Sequence, residues 1–181
     1  MTQNRGMSGY IRNRELGGAY FFTVNLLDRG RNDLLVRNID SLRDAVRLTR
    51  AERPFEIIAW VVLPEHMHAI WKLPEGDADY STRWAAIKAR FSQSIPNTEF
   101  QNASRISHGE RGIWQRRYWE HTIRDDRDLR NHTDYIHFNP KKHNLVERVC
   151  DWPHSSFHRF VERGVYAPDW AAPPDLIDIP E

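Results

Sequence analysis

The stretch "FEIIAWVVLPEHMHAIWKLP", residues 55–74, decides the fold. Its first half, "FEIIAWVVL", carries an unbroken apolar run from Ile57 to Leu63, the pattern of a strand buried on both faces. After the short "PEH" connection, "MHAIWKL" turns back antiparallel beside it, so the two halves make a hairpin. Successive side chains of a strand point to opposite faces. Met67, Ala69, Trp71 and Leu73 therefore form a wholly apolar face suited to a core. His66 and His68 project together from the other face, close enough to share one metal ion. A bare His-x-His is more often a decorated strand end than a ligand pair, so that assignment needs support from elsewhere in the chain.

Working outward from the hairpin, "AYFFTVNLL" (19–27) reads as an earlier strand. "RNIDSLRDAVRLTRAER" reads as an amphipathic helix burying Leu42, Ala45 and Val46. Downstream, "DYSTRWAAIKARFSQSI" reads as a second helix with Trp84, Ala85, Ile87 and Phe91 inward, and "IWQRRYWEHTI" as a fourth strand. The order βαββαβ predicts an α+β domain, a ferredoxin-like four-stranded antiparallel sheet with helices on one face and the other face open to nucleic acid or catalysis. Trp60 and Trp71 are core candidates. The turn-rich "PNTEFQNASRISHGERG" is a loop within the domain, and no internal repeat or low-complexity segment interrupts it. The 181 residues are read as a single domain, with 1–17 and 165–181 as extensions.

Composition narrows the function. With 40% hydrophobic and 12% aromatic residues the chain is not disordered. It holds no run of about 18 apolar residues and its start does not resemble a signal peptide, so a cytoplasmic location is expected and no membrane is a partner. One cysteine, Cys150, excludes an internal disulfide and a multi-cysteine zinc site. Any metal must be held by His, Asp, Glu, Asn or Gln. The net charge is only +1, but Asp169, Asp175, Asp178 and Glu181 close the chain with no base among them. The body is thus mildly basic. Arginines gather in "YIRNRELGG" (Arg12, Arg14), "DRGRND" and "ERGIWQRRYWEHTIRDDRDLR" (Arg116, Arg117), interleaved with aromatics as in surfaces that grip phosphates and stack bases. The competing reading is an ordinary solvated charge pattern.

The last informative stretch is "RDDRDLRNHTDYIHFNPKKH". Asp125 or Asp126 can cap a helix, Asp128 suits its first turn, and Pro140 bars continuation, which predicts a helix over roughly 126–139. Leu129, Thr133 and Ile136 share one stripe. Tyr135 and Asn139, four apart, are neighbours on the adjoining face, beside the core-facing stripe, where a tyrosine can reach an active site. Beyond it, Lys141 and Lys142 in "PKKH" can hold phosphates or form a solvated turn.

Together, "YFFTVNLLDRG", "LPEHMHAIW", "WQRRYWEHTIRDDRDL", "YIHFNPKKHNLV" and "DWPHSSFHRF" resemble, in order and spacing over most of the chain, the HUH single-tyrosine transposases and more closely their REP-associated branch. Insertion-sequence relatives usually carry Gln four residues after the tyrosine, whereas this chain has Asn139, similar to the REP-associated branch.

The resemblance implies a metal-dependent enzyme, an endonuclease and strand transferase that nicks and rejoins single-stranded DNA at REP-like hairpins with a GTAG-like tetranucleotide at the hairpin foot. Tyr135 is the implied nucleophile, forming a 5′-phosphotyrosine. His66 and His68, with Asn139 as third ligand, would hold Mg²⁺ or Mn²⁺. His121, His132, His137 and His143 stand as substitute ligands, and Glu65 is either an orienter of a histidine or a turn residue. A monomer in which Tyr135 serves its own His pair is expected, in contrast to the helix-exchanging dimers of insertion-sequence relatives. Two other classes remain open: a non-catalytic hairpin-binding descendant, and a metal-dependent nuclease using water.

Overall fold

The computed structural model describes residues 14–30, 32–97, 107, 111–172, 177 and 179; Arg12 lies outside them. Its elements are β1 (Ala19–Asn25), α1 (Leu34–Arg37), α2 (Ile39–Glu52), β2 (Glu56–Val62), β3 (His66–Lys72), α3 (Tyr80–Ser94), β4 (Trp119–Thr122), α4 (Asp126–Lys142), a 3₁₀ turn (Val149–Asp151) and α5 (Phe157–Glu162). The strands form one sheet in the order β2-β3-β1-β4, every neighbouring pair antiparallel, as expected for βαββαβ. The β2–β3 hairpin closes through Pro64 and Glu65, with the Leu63 amide donating to the His66 carbonyl at 2.9 Å.

The alternation read from the hairpin sorts the core. Met67, Ala69 and Trp71 join Tyr20, Phe22 and Val24 of β1 under α2 and α3. There Trp71 and Trp84 stack with ring centroids 4.1 Å apart. Each such side chain taken out of water contributes about 1.5–3 kcal/mol. Helix α3 buries Tyr80, Trp84, Ile87 and Phe91. Ala85, expected inward, is exposed, because it follows Trp84 by about 100° around the helix and so leaves the stripe.

Two boundaries differ from expectation. The strand expected over 113–123 is regular only at Trp119–Thr122. Leu26 bridges to Trp114 and Thr23 pairs with Trp119, so three steps along β1 oppose five along its partner, and the extra residues break the ladder. Helix α4 also runs through Pro140 to Lys142. A proline removes one backbone bond and crowds the preceding turn, yet here the helix ends two residues later. His143 still donates to the Asn139 carbonyl, Leu145 donates to the Pro140 carbonyl, and Asn144 closes the end in the left-handed region at φ 55°.

The second sheet face is not open. Phe21, Ala59, Val61 and Ile70 pack there against Tyr135 and Ile136 of α4, with Trp152 and Ile179 alongside. Tyr135 and Asn139 accordingly lie under the helix, among its buried residues His132, Thr133, Ile136 and His137, rather than beside the core-facing stripe. Among the described residues no helix is long and apolar enough to cross a membrane.

Candidate active site

Two periodicities meet on this covered face. Opposite His66 and His68 on β1 stand Asn25 and Thr23, and both imidazoles point away from the aromatic core toward α4. The His66 and His68 rings lie 4.9 Å apart at 82°. Tyr135 sets its ring 5.3 Å from His68, and His143, just past the helix, sets its ring 5.2 Å from His66. Asn139 is one turn after Tyr135 and one turn before His143, so the helix carries its amide between those two contacts. His66, His68 and Asn139 are fully buried, and Tyr135 is 1% exposed.

The histidines are oriented from outside. His66 Nδ1 is 2.9 Å from Glu65 Oε1. A carboxylate only accepts, so Nδ1 carries the proton and Nε2 the lone pair. Burial opposes ionising Glu65, but the hydrogen bond from His66 and the nearby charge of Arg29 help hold its carboxyl below the usual carboxylate range. Arg29 reaches Glu65 at 3.5 Å. Glu65 thus sits in the turn and also holds the His66 ring through its Nδ1 contact. His68 Nδ1 is 3.0 Å from Thr23 Oγ1, and Phe21 stacks on its ring at 5.5 Å. Beside Glu65 and His143, a cavity of about 380 Å³ lined also by Arg29, Asn32 and Leu145 opens to solvent.

The Tyr135 hydroxyl donates to the Ile179 carbonyl at 3.3 Å. It accepts from the Lys142 ammonium at 3.4 Å, which also sits over its ring, 4.9 Å from the centroid. The hydroxyl is thus engaged from both sides and the residue is almost wholly buried. Lys142, expected either to hold phosphates or to lie in a solvated turn, is not in a turn but is the last residue of α4, two turns beyond Tyr135 on the same face. Reading Pro140 as a stop concealed that spacing.

The substitute ligands separate. His137 is buried elsewhere, with Nε2 2.8 Å from Ser156 Oγ and its ring against Phe157, Phe160 and Tyr166; burial and the charges of Arg159 and His158 push its pKa down to about 3. His121 and His132 meet at Asp128, beyond Phe21. Only His143 borders the His66–His68 pair. Among the basic candidates, Lys141 donates to the Glu147 carbonyl at 2.8 Å, and Arg14, Arg116 and Arg117 are exposed. Arg116 borders a second cavity of about 430 Å³ with Lys88, Arg111 and Trp114.

No family model matches the chain. It is 51% identical over 165 residues to a protein of Escherichia coli (strain K12) described as a REP-associated tyrosine transposase, the match covering 91% of this chain and 92% of that one. It is also similar to a solved structure described as a REP-associated tyrosine transposase bound to a REP hairpin, at 50% identity and a TM-score of 0.81, over 96% of this chain and 95% of the other.

Proposed function

Because the chain belongs to the REP-associated tyrosine transposases, we propose that it cuts and rejoins single-stranded DNA at REP-like hairpins, with Tyr135 as nucleophile. The observation that carries this reading is the contact of the Tyr135 and His68 rings at 5.3 Å within one chain. It brings the only tyrosine next to the histidine pair, among the described residues, onto the strand face that the pair occupies. In this proposal Tyr135 serves its own His pair in a monomer, without exchange of helices. The chain works as one domain, with residues 1–17 and 165–181 as its extensions.

The donor set suits a divalent ion. Two neutral imidazoles and one amide oxygen make a mixed N/O site, with the Glu65 bond leaving His66 Nε2 basic. His66, His68 and Asn139 would hold Mg²⁺ or Mn²⁺, which when bound draws charge from the oxygens of the scissile phosphate. The chain's residues supply the rest. The phenolic oxygen of Tyr135 attacks phosphorus, the bond from phosphorus to the 3′ oxygen breaks, and the strand ends become a 5′-phosphotyrosine and a free 3′-hydroxyl. The reverse attack by a 3′-hydroxyl reseals DNA and restores the phenol. Lys142, beside the phenolic oxygen, offsets the negative charge that gathers there. Exposed Arg14, Arg116 and Arg117, with Arg12 and Lys141, serve the phosphates of the hairpin.

The test is a covalent trap. Single-stranded REP-like hairpin DNA, labelled 3′ of the cut, is incubated with the protein and Mn²⁺ and then denatured. Label retained on a peptide containing Tyr135 supports the reading. A free 5′-phosphate without adduct would point to a nuclease using water, and binding without any cut to a hairpin-binding protein only.

A further inference from the structure

We propose that His121, Asp128 and His132 form a second metal site, for a first-row transition ion of the Zn²⁺ class, which ties strand β4 to the helix that carries Tyr135. Nothing in the strand-transfer chemistry uses these three residues, and the histidines come from different elements. His121 stands on β4, Asp128 in the first turn of α4, and His132 one turn further along it. One carboxylate engages both rings: His121 Nε2 lies 2.8 Å from Asp128 Oδ2 and His132 Nδ1 lies 3.0 Å from Asp128 Oδ1. A ligand atom from each of the three lies within 4.8 Å of the others. The two rings are nearly parallel, at 11°, with centroids 4.6 Å apart.

Ligands about 2.0–2.2 Å from one ion stand about 3–3.5 Å from each other; each imidazole already stands close to that spacing from Asp128, and the remaining spread, up to 4.8 Å, closes by rotation of the side chains onto the ion. Two imidazoles and a carboxylate favour ions of the Zn²⁺, Co²⁺ and Mn²⁺ group over Ca²⁺, which takes oxygen ligands. The site is partly sheltered, with side-chain exposures of 19% for His121 and Asp128 and 6% for His132, leaving an edge where water completes the shell. It is separate from the His66–His68 pair, because the Phe21 ring intervenes, 5.5 Å from His68 and 4.9 Å from His132.

The rival arrangement is a hydrogen-bonded cluster holding only protons. His132 Nδ1 lies 2.8 Å from the Asp128 backbone carbonyl, which accepts a proton carried there. Binding an ion at that nitrogen moves the ring's proton to Nε2 and gives up this bond. Three residues before Tyr135, such a clip would fix the approach of the nucleophile's helix to the sheet.

The test uses the full chain carrying His66→Ala and His68→Ala, stripped with a chelator and titrated with Co²⁺. We expect one equivalent per chain with visible ligand-field absorption, displaced by Zn²⁺, and affinity weakened more than about tenfold by adding His121→Gln or His132→Gln. In the unsubstituted chain, where folding is not in question, Co²⁺ should broaden the ring signals of both His121 and His132. Absence of binding in the His66/His68 variant, or unchanged His121 and His132 signals, overturns the site and leaves a proton-bridged cluster. Either result is independent of whether Tyr135 forms an adduct.

Discussion

The rings of His68 and Tyr135 stand 5.3 Å apart at 75° although 66 residues separate them in the chain. Strand β3 gives its apolar face to one core and its histidine face to α4, so the packing that stabilises the second sheet face also assembles the site. Substitutions in the chain therefore divide into those that change chemistry and those that change packing.

Glu65 belongs to the first kind. Its carboxylate fixes the tautomer of His66 from 2.9 Å, and outer partners of this sort typically contribute 10–100-fold to metal affinity. Glu65→Gln is expected to raise the Mn²⁺ concentration for half-maximal cleavage by about that factor, with the rate at saturating metal near that of the unaltered protein. Metal titration of single-turnover cleavage checks it; an unchanged midpoint refutes the orienting role.

Arg83 belongs to the second. Its buried guanidinium donates to the carbonyls of Arg53, Pro54 and Asp79 and to Asp77 Oδ2 at 2.6 Å. Arg83→Met strips donors from three carbonyls and should cost on the order of 3 kcal/mol in urea unfolding. The hydrogen bond from Arg83, outweighing burial, holds the Asp77 carboxyl below its usual range. A carboxyl lowered on folding contributes stability above its unfolded value of about 3.9, lost as pH falls through the lower folded value. Asp77→Asn should thus be less stable near neutrality and lose less on further acidification, as read by unfolding curves at successive pH values.

The hairpin, the βαββαβ order and the histidine face were legible because each rests on a local period, two for Met67, Ala69 and Trp71 and about four for Tyr135 and Asn139. What the periods could not give was tertiary. The wide buried stripe of α4 covers a face expected to be open, which hides Tyr135, and that depends on which helix reaches the sheet. Arg29 comes to Glu65 from a loop with no repeat to read. The cluster at Asp128 joins β4 to α4 across an element boundary. Lys142 was within reach of the reading, seven residues from Tyr135, had the helix been carried past Pro140.

If exposed Arg14, Arg116 and Arg117 grip hairpin phosphates as proposed, they bear on affinity rather than chemistry. Each single-strand phosphate neutralised should contribute a slope of about −0.7 in log affinity against log salt. Replacing Arg116 and Arg117 by Gln should flatten the slope by about 1.4 in titrations from low to high KCl, with the single-turnover rate on saturating DNA unchanged. An unaltered slope removes both residues from the interface.

Lys142 distinguishes two roles by its position 3.4 Å from the Tyr135 hydroxyl. If its ammonium offsets charge on the phenolic oxygen, Lys142→Met should slow single-turnover cleavage about 10–100-fold, or about 1.4–2.7 kcal/mol. Hairpin affinity and its salt slope should then stay nearly constant. A variant that cleaves at the normal rate but binds weakly with a shallower slope returns Lys142 to the role of a phosphate holder.

Tyr135→Phe puts the strand-transfer chemistry itself to the test. The ring is 1% exposed and packs on His68 and Phe21, so phenylalanine preserves the packing. It removes only the hydroxyl and its contacts with Ile179 and Lys142. Because those contacts are to a backbone carbonyl and an exposed ammonium, stability should change by about 1 kcal/mol or less. If the hydroxyl acts as the proposed nucleophile, hairpin affinity should hold within about twofold, since a buried hydroxyl would then contribute through bond formation, not recognition. Cleavage and covalent adduct should both fall below detection, because no other atom of the ring can form an ester with phosphorus. Binding and chemistry would then separate in a single substitution. A Phe variant that still yields adduct at the normal rate assigns the nucleophile to another residue, and one that still cuts without adduct assigns the attack to water.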